Sequence, residues 1–322
     1  MGDDQVFIAN VVQQSRFFML IDRQIGCCLM ESFMLSDRKD LILKWCSLGC
    51  SVGSVLVLLS LYAFIAAESL PIWRDVGIMS LLFNQEWRPL DELPQFGFLT
   101  MLVSTLWSSL GAMLIAAPLG MCCGIFLAEF APRWLSAVIR TILNILTGIP
   151  SVVYGFLGAS VIVPWYELVF SVPSGESLFC ASFVLSIMVV PYIVSGTYAA
   201  FNSIPAEYRE SGYVLGVSKM YVTARILFPL ARRNIITAVM LAFGRAAGET
   251  MAVLMLAGNT LTLPLSWFSK GEPLSALIAL EIGTAAVGSR QYQALFAGGL
   301  VLLIFVSSIN FAMYYFNGRG RS

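Results

Sequence analysis

Six apolar runs, each long enough to cross a bilayer, constrain this chain more than any other feature: Leu41–Ala67, Phe98–Leu127, Ile139–Trp165, Leu178–Ala200, Asn234–Ala257 and Tyr292–Phe316. In hydrocarbon a backbone amide finds no water, so a spanning segment must satisfy its own N–H and C=O groups. Runs of about 20 residues or more do this as helices. The expected fold is an all-α polytopic membrane protein with six transmembrane helices. Several runs exceed what a perpendicular helix needs, which predicts tilt or interfacial ends. Pro118, Pro150 and Pro191 lie in or near the runs, and neighbouring helices must accommodate the bends they cause. Gly120, Gly124, Gly155 and Gly158 predict close helix approaches.

Composition narrows the functional classes. Charged residues make up 12% of the chain, about half the share usual in soluble domains. Formal net charge is zero, so nothing points to a nucleic-acid partner. The sequence has no histidine, which removes the commonest general base and metal ligand. Cys27–Cys28 and Cys122–Cys123 are adjacent pairs, not a metal-ligand spacing, and read as small apolar helix residues. Neither a metal site nor a catalytic residue is expected, and a membrane metalloprotease or Ser/His hydrolase is disfavoured.

Lysine and arginine placement sets an expected orientation. With the N-terminus inside, the inner segments hold 14 of these residues and the outer segments hold four: Arg74, Arg88, Lys270 and Arg290. Lys44 and Arg140, at run ends, count with the inner 14, which leaves Arg245 as the one placed in the membrane. The asymmetry predicts both termini in the cytoplasm. Trp73 and Trp87, in the first outer loop, suit a membrane interface. Leu274–Ala286 is apolar but too short to span, and reads as a short re-entrant or surface helix. Residues 1–40 form an N-terminal extension that is neither a clean signal peptide nor a spanning helix. It is either an interfacial helix or an over-long reading whose true start is Met34, just before S-D-R-K-D. The first transmembrane helix then occupies 41–67, and a core domain occupies 98–316.

A polar island interrupts this pattern from Glu210 to Pro229. Pro205 suits a helix's first turn, and Gly216 suits a helix stop because it tolerates left-handed backbone. Ser218 can cap a second short helix, expected to end near Pro229. Tyr213, Val214, Leu215, Met220 and Tyr221 have no obvious lipid partner. This cytoplasmic knob either fills a groove on another protein or packs on its own helix ends.

The fifth run contains F-G-R-A-A-G-E-T-M-A. Arg245 is 11 residues past Asn234, roughly 17 Å into a helix, and Glu249 follows four residues later on the same expected face. A charge at mid-bilayer costs at least ~2.5–3.5 kcal/mol, so it must face protein or a water-filled path. Two readings stand. Either the pair neutralises itself and fixes packing, or Arg245 offers a fixed cation to a crossing anion. A guanidinium suits tetrahedral oxyanions through paired hydrogen bonds, with Glu249 orienting it.

The spacing Glu210-Ser211-Gly212, three residues, Gly216, nine residues, Ile226, one residue, Phe228-Pro229 resembles the signature loop of ATP-binding-cassette importer permeases, E-A-A-x3-G-x9-I-x-L-P. Ser211, Gly212 and Phe228 depart mildly from it. G-R-A-A-G-E-T-M-A-V followed by A-G-N, F-L-A-E-F-A-P at Phe126–Pro132 and I-P-S-V-V-Y-G at Ile149–Gly155 resemble phosphate-importer permeases of the PstC type. The likeness covers about residues 40–316; it fails over 1–39, and the segment near Ser171–Ser177 is short for the family. It implies a type I (MetI-like) permease fold and phosphate import across a bacterial inner membrane. It also implies a heterodimer with a PstA-type permease, two copies of a PstB-type ATPase and a PstS-type phosphate-binding protein. The 203–232 loop would dock the ATPase through Glu210, Ser211, Gly212, Gly216, Ile226 and Pro229. Arg245, Glu249 and, less directly, Tyr154 would line the phosphate path; a packing tyrosine is the other reading of Tyr154. The chain lacks a G-x-x-x-x-G-K-[ST] phosphate loop, so ATP would be used by the partner ATPase and no cofactor by this chain. The rivals are a permease for another oxyanion (phosphonate, sulfate or molybdate) and a self-sufficient channel or secondary transporter.

Overall fold

The computed structural model describes residues 38–214 and 216–318. The N-terminal extension with Cys27, Cys28 and Met34 therefore lies outside the described residues, as do Leu215, Arg319 and Arg321. Among the described residues the only β pairing is two isolated bridges, Arg88 with Gln95 and Gly258 with Gly271; the rest is helix and connection.

Among the described residues, six helices are long and apolar enough to cross a membrane: Leu43–Val76, Leu99–Phe130, Ser151–Phe170, Leu178–Asn202, Lys219–Ala247 and Arg290–Ala312. The first belongs to α1 (Arg38–Val76). Packing divides the chain after Glu68. In the unit before that point, α1 exposes Leu43, Trp45, Leu56, Val57 and Phe64, the surface expected of a helix meant for lipid.

The second unit begins at Ser69 and holds the remaining helices. After α2 (Ile78–Phe83), α3 (Leu99–Ile125) runs on through a π-turn at Phe126–Phe130. Its main neighbour is α7 (Leu178–Asn202). Small residues make that contact close. A Cβ on Gly120 would lie 2.8 Å from the Ile193 side chain, and one on Gly124 would lie 2.6 Å from Thr197. With no hydrophobic drive between helices in lipid, such close packing is a main source of association. Ser104, Thr105, Ser108 and Ser109 of α3 donate to carbonyls three or four residues back, so their hydroxyls are satisfied within the helix.

The third run is not one span. Ile149 precedes Pro150 and is extended (φ −73°, ψ 129°), because proline disfavours helix at the preceding residue. The run splits into α4 (Arg133–Gly148) and α5 (Ser151–Leu157), which continues through a second π-turn at Gly158–Ile162 into α6 (Val163–Phe170). In α4, Trp134, Val138, Ile142 and Ile145 fall on one exposed stripe at helical spacing.

The fifth run is also reorganised. Helix α8 (Ala206–Val214) and α9 (Lys219–Val222) flank Gly216 as expected. However, α9 does not stop near Pro229. It passes through a π-turn at Thr223–Leu227 into α10 (Phe228–Ala247), with Pro229 in the first turn of α10. The wider π-turn accommodates a residue without an N–H, so proline does not end the helix there. The chain then breaks at 248–250 and resumes as α11 (Met251–Leu256).

The end remote from the 203–232 loop is closed by α12 (Leu274–Glu281) and the start of α13 (Arg290–Gly318). Helix α12 is buried at Leu274, Ala276 and Leu277, and the Leu274 N–H donates to Thr105 Oγ1 of α3 at 3.0 Å. The short apolar segment is thus inserted into the bundle. Trp87 corrects an expectation: it is 3% exposed, packs on Phe96 and Phe98, and donates Nε1–H to Glu281 at 2.9 Å. It belongs to this internal cap, not to an interface belt.

Candidate functional site

The 203–232 loop has the form its residues predict. Gly216 has φ +72°, the left-handed backbone only glycine adopts without strain. The Ser218 hydroxyl accepts the Tyr221 N–H at 3.3 Å and caps α9. Gly212 is buried where a Cβ would lie 2.6 Å from Val222, so the two helices meet at a residue with no side chain. Glu210, Ser211, Gly216 and Pro229 are exposed, and Ile226 is half-buried. Tyr208, Tyr213, Met220 and Tyr221 are exposed, as is Val214 at 87%. The knob therefore turns an apolar and aromatic surface outward.

The loop also grips the bundle beneath it. Arg209 donates from Nε (3.0 Å) and Nη2 (2.8 Å) to Glu129 Oε1 in the π-turn that ends α3. The same guanidinium donates to the carbonyls of Phe201 (2.7 Å) and Ile204 (2.9 Å), at the end of α7. The Glu129 side chain is 4% exposed, so this is a buried, charge-assisted joint. Lys219 adds a cation–π contact with Phe130, 5.4 Å from the ring centroid.

Arg245 lies in the last turn of α10, where a cation is favoured by the helix dipole. Its guanidinium sits over the Tyr192 ring, 4.6 Å from the centroid. Tyr192 is the fifteenth of the 25 residues of α7, roughly 21 Å from one end and 15 Å from the other at 1.5 Å per residue. This fixes the depth of Arg245 near the middle of the bundle, independently of where α10 begins. The residue is exposed within the chain.

Glu249 does not share a helix face with Arg245. Helix α10 ends at Ala247, and Glu249 lies in the break, half-buried, its carbonyl accepting the Ser275 hydroxyl at 2.8 Å. The cation's neighbour is thus a ring on α7, with the carboxylate in the adjacent turn. Irregular backbone at membrane depth is tolerated only where it is buried in protein or lines a cavity, and transporters place such breaks beside their substrate sites.

Tyr154 is buried, and its hydroxyl donates to the Leu146 carbonyl at 3.0 Å, tying α5 back to α4 across the Pro150 corner. Beside it, Gly155 and Gly158 receive α11 and α7: a Cβ on Gly155 would lie 2.9 Å from Met255 Sδ, and one on Gly158 would lie 2.8 Å from Val184. The geometry brings Arg245, Tyr192 and the 248–250 break together, and sets Glu210, Ser211, Gly212, Gly216, Ile226 and Pro229 apart in the 203–232 loop. Nothing in the sequence alone marks Tyr192 or the Glu129–Arg209 pairing as part of a site. Glu129 did carry a signal, as the one charge in F-L-A-E-F.

Residues 120–322 match the family model described as binding-protein-dependent transport system inner membrane component. The chain is 36% identical over 269 residues to a probable ABC transporter permease protein, YqgH, of Bacillus subtilis, covering 83% of this chain and 86% of that one. It is 37% identical to the phosphate transport system permease protein PstC of Xylella fastidiosa (70% and 74% covered) and 33% identical to PstC of Haemophilus influenzae (80% and 87% covered). Among solved structures, a chain of a bacterial ABC transporter for alginate import superposes with TM-score 0.60 at 15% identity, over 88% of this chain and 99% of that one. A chain of the MetNI methionine ABC transporter superposes with TM-score 0.50 at 18% identity, over 68% and 95%. The chain belongs to the family of binding-protein-dependent transport system inner membrane components, and within it to the PstC type.

Proposed function

We propose that this permease is one of two membrane subunits of an ATP-driven phosphate importer. The observation that carries the cargo assignment is the exposed Arg245 guanidinium at mid-bundle, beside a helix break, in a chain whose relatives include phosphate permeases. A guanidinium donates paired hydrogen bonds to a tetrahedral oxyanion, and the Tyr192 ring holds it from one side only. Glu249, in the adjacent break, opposes over-tight anion binding, so that the ion can leave.

The second permease is of the PstA type and supplies the other wall of the path. Of the two PstB-type ATPases in the complex, one docks on the exposed faces of α8 and α9, and ATP is bound and hydrolysed on the ATPase subunits. A PstS-type protein delivers phosphate to the opposite end. The loop end faces the cytoplasm of a bacterial inner membrane, with both termini on that side. ATPase closure moves the loop, and the bundle alternates access to Arg245. The charge pattern supports this orientation.

Arg245→Gln tests the assignment. It removes the cation and keeps a hydrogen-bonding side chain. Phosphate uptake is expected to be lost while membrane insertion and assembly with the partner subunits persist. Normal uptake would take Arg245 out of the path.

A further inference from the structure

We propose that Arg209 and Glu129 form a mechanical joint by which the 203–232 loop moves α3 and α7, so that ATPase closure reaches Arg245 by a second route. This rests on the ATPase-docking reading above. The covalent route runs from α9 through the π-turn at Thr223–Leu227 into α10 and on to Arg245. Helix α8, which carries Glu210, meets that route where Gly212 packs on Val222, and a path that bypasses α9 and α10 has to leave α8 from another residue.

Arg209 supplies that path. It is the α8 residue whose guanidinium reaches inward: two of its nitrogens meet one carboxylate oxygen of Glu129, and two backbone carbonyls at the end of α7 take the remaining bonds. A planar fork held at four contacts transmits displacement with little slack, which a flexible ammonium does not. The contact is also shielded, since Glu129 is almost wholly buried. Its acceptor lies on a π-turn, a geometry that recurs at functional sites.

The helices beyond the joint are locked together. The close contacts of Gly120 with Ile193 and of Gly124 with Thr197 leave α3 and α7 little freedom to slide separately. Tyr192, next to Ile193 on α7, carries the Arg245 guanidinium on its ring. The second route thus runs from α8 through Arg209 and Glu129 to the α3–α7 pair, and ends at Tyr192. Both routes converge on one cation from opposite sides, through its own helix and through the ring it rests on. Relative motion between them changes how Arg245 is presented.

The test uses the full complex in proteoliposomes, with this chain, the second permease, the ATPase and the binding protein, measuring ATP hydrolysis and phosphate uptake on the same preparation. The variants are Glu129→Gln, isosteric and uncharged, and Arg209→Lys, charged but without the fork. Both are expected to retain the ATPase on co-purification and to hydrolyse ATP. Phosphate imported per ATP should fall about tenfold, the scale of losing one charge-assisted hydrogen bond. An unchanged ratio in both variants overturns the joint. Failure of both variants to assemble assigns the pair to assembly alone and also overturns it. Wild-type chain that imports phosphate with no ATPase removes the docking reading, and the joint with it; the variants alone separate the two claims.

Discussion

Tyr192 offers the sharpest test of how the intramembrane cation is held. Its ring centroid lies 4.6 Å from the Arg245 guanidinium carbon, within the range of a cation–π contact. Such contacts contribute about 0.5–1 kcal/mol when exposed and about 2 kcal/mol when desolvated. Arg245 is exposed within the chain while Tyr192 is half-buried, so the whole of that range applies. Replacing Tyr192 with Leu keeps much of the volume but removes the ring's negative face. If the ring presents Arg245 to the anion, kcat/KM for phosphate uptake should fall by about 2–30-fold, the kinetic equivalent of that energy. Tyr192→Phe keeps the ring and should stay within about threefold of wild type, since Phe still offers a π face. The assay is initial-rate uptake of labelled phosphate by the assembled complex across a concentration series, normalised to assembled protein. Equal losses in the Phe and Leu variants would refute the stacking argument and point to the hydroxyl instead. No loss in either would show that Arg245 needs no platform.

Packing and backbone geometry elsewhere in the chain set further expectations. Gly216→Val places a β-branched residue at φ +72°, a left-handed conformation costing roughly 1–2 kcal/mol for ordinary L-residues and more for β-branched ones; the ATPase should dissociate on purification, and retained coupling would count against the knob geometry. Gly124→Leu drives a side chain into Thr197 and the Val194 carbonyl, and should destabilise the α3–α7 pair by about 1–3 kcal/mol, read as a lower melting temperature in detergent. Glu272 is 4% exposed, and burial, with the Glu281 charge nearby, pushes its carboxyl from 4.5 up to about 7. Below about pH 4.5 the carboxyl is protonated whether the chain is folded or unfolded, so burial carries no ionisation penalty there. As pH rises toward 7 the unfolded state ionises first and the folded state loses stability, by up to about 3 kcal/mol above pH 7. Glu272→Gln should flatten that slope in thermal melts between pH 5 and 8, and an unchanged slope would remove Glu272 as its source.

Much of the helical plan is legible in the residues because hydrocarbon permits so few backbone solutions. The loop knob is legible for a different reason: Gly216 and Ser218 have conformational preferences strong enough to act locally. The errors fall where proline and glycine meet tertiary packing. Pro150 splits a run that hydropathy joins, because the constraint on Ile149 is local while hydropathy averages over a window. Pro229 looks like a helix stop but is absorbed by a π-turn, which no one-residue preference predicts. Helical spacing puts Glu249 on the face of Arg245, and the end of α10 at Ala247 voids that spacing. Trp87 shows the limit from the other side: an indole suited to an interface is buried because Glu281, 194 residues away in sequence, accepts its N–H. Tyr192 and Arg209 act through partners on other helices, so only the folded chain identifies them.

The central claim is ATP-driven phosphate import through a path that includes Arg245. The measurement closest to it is uptake of labelled phosphate by proteoliposomes holding this chain, its companion permease, the ATPase and the binding protein, with and without ATP, and with excess sulfate, molybdate or phosphonate. The account predicts uptake that requires ATP and every subunit, is suppressed by unlabelled phosphate and is little affected by the other oxyanions. Uptake by this chain alone without ATP, or competition by another oxyanion as strong as by phosphate itself, would contradict it.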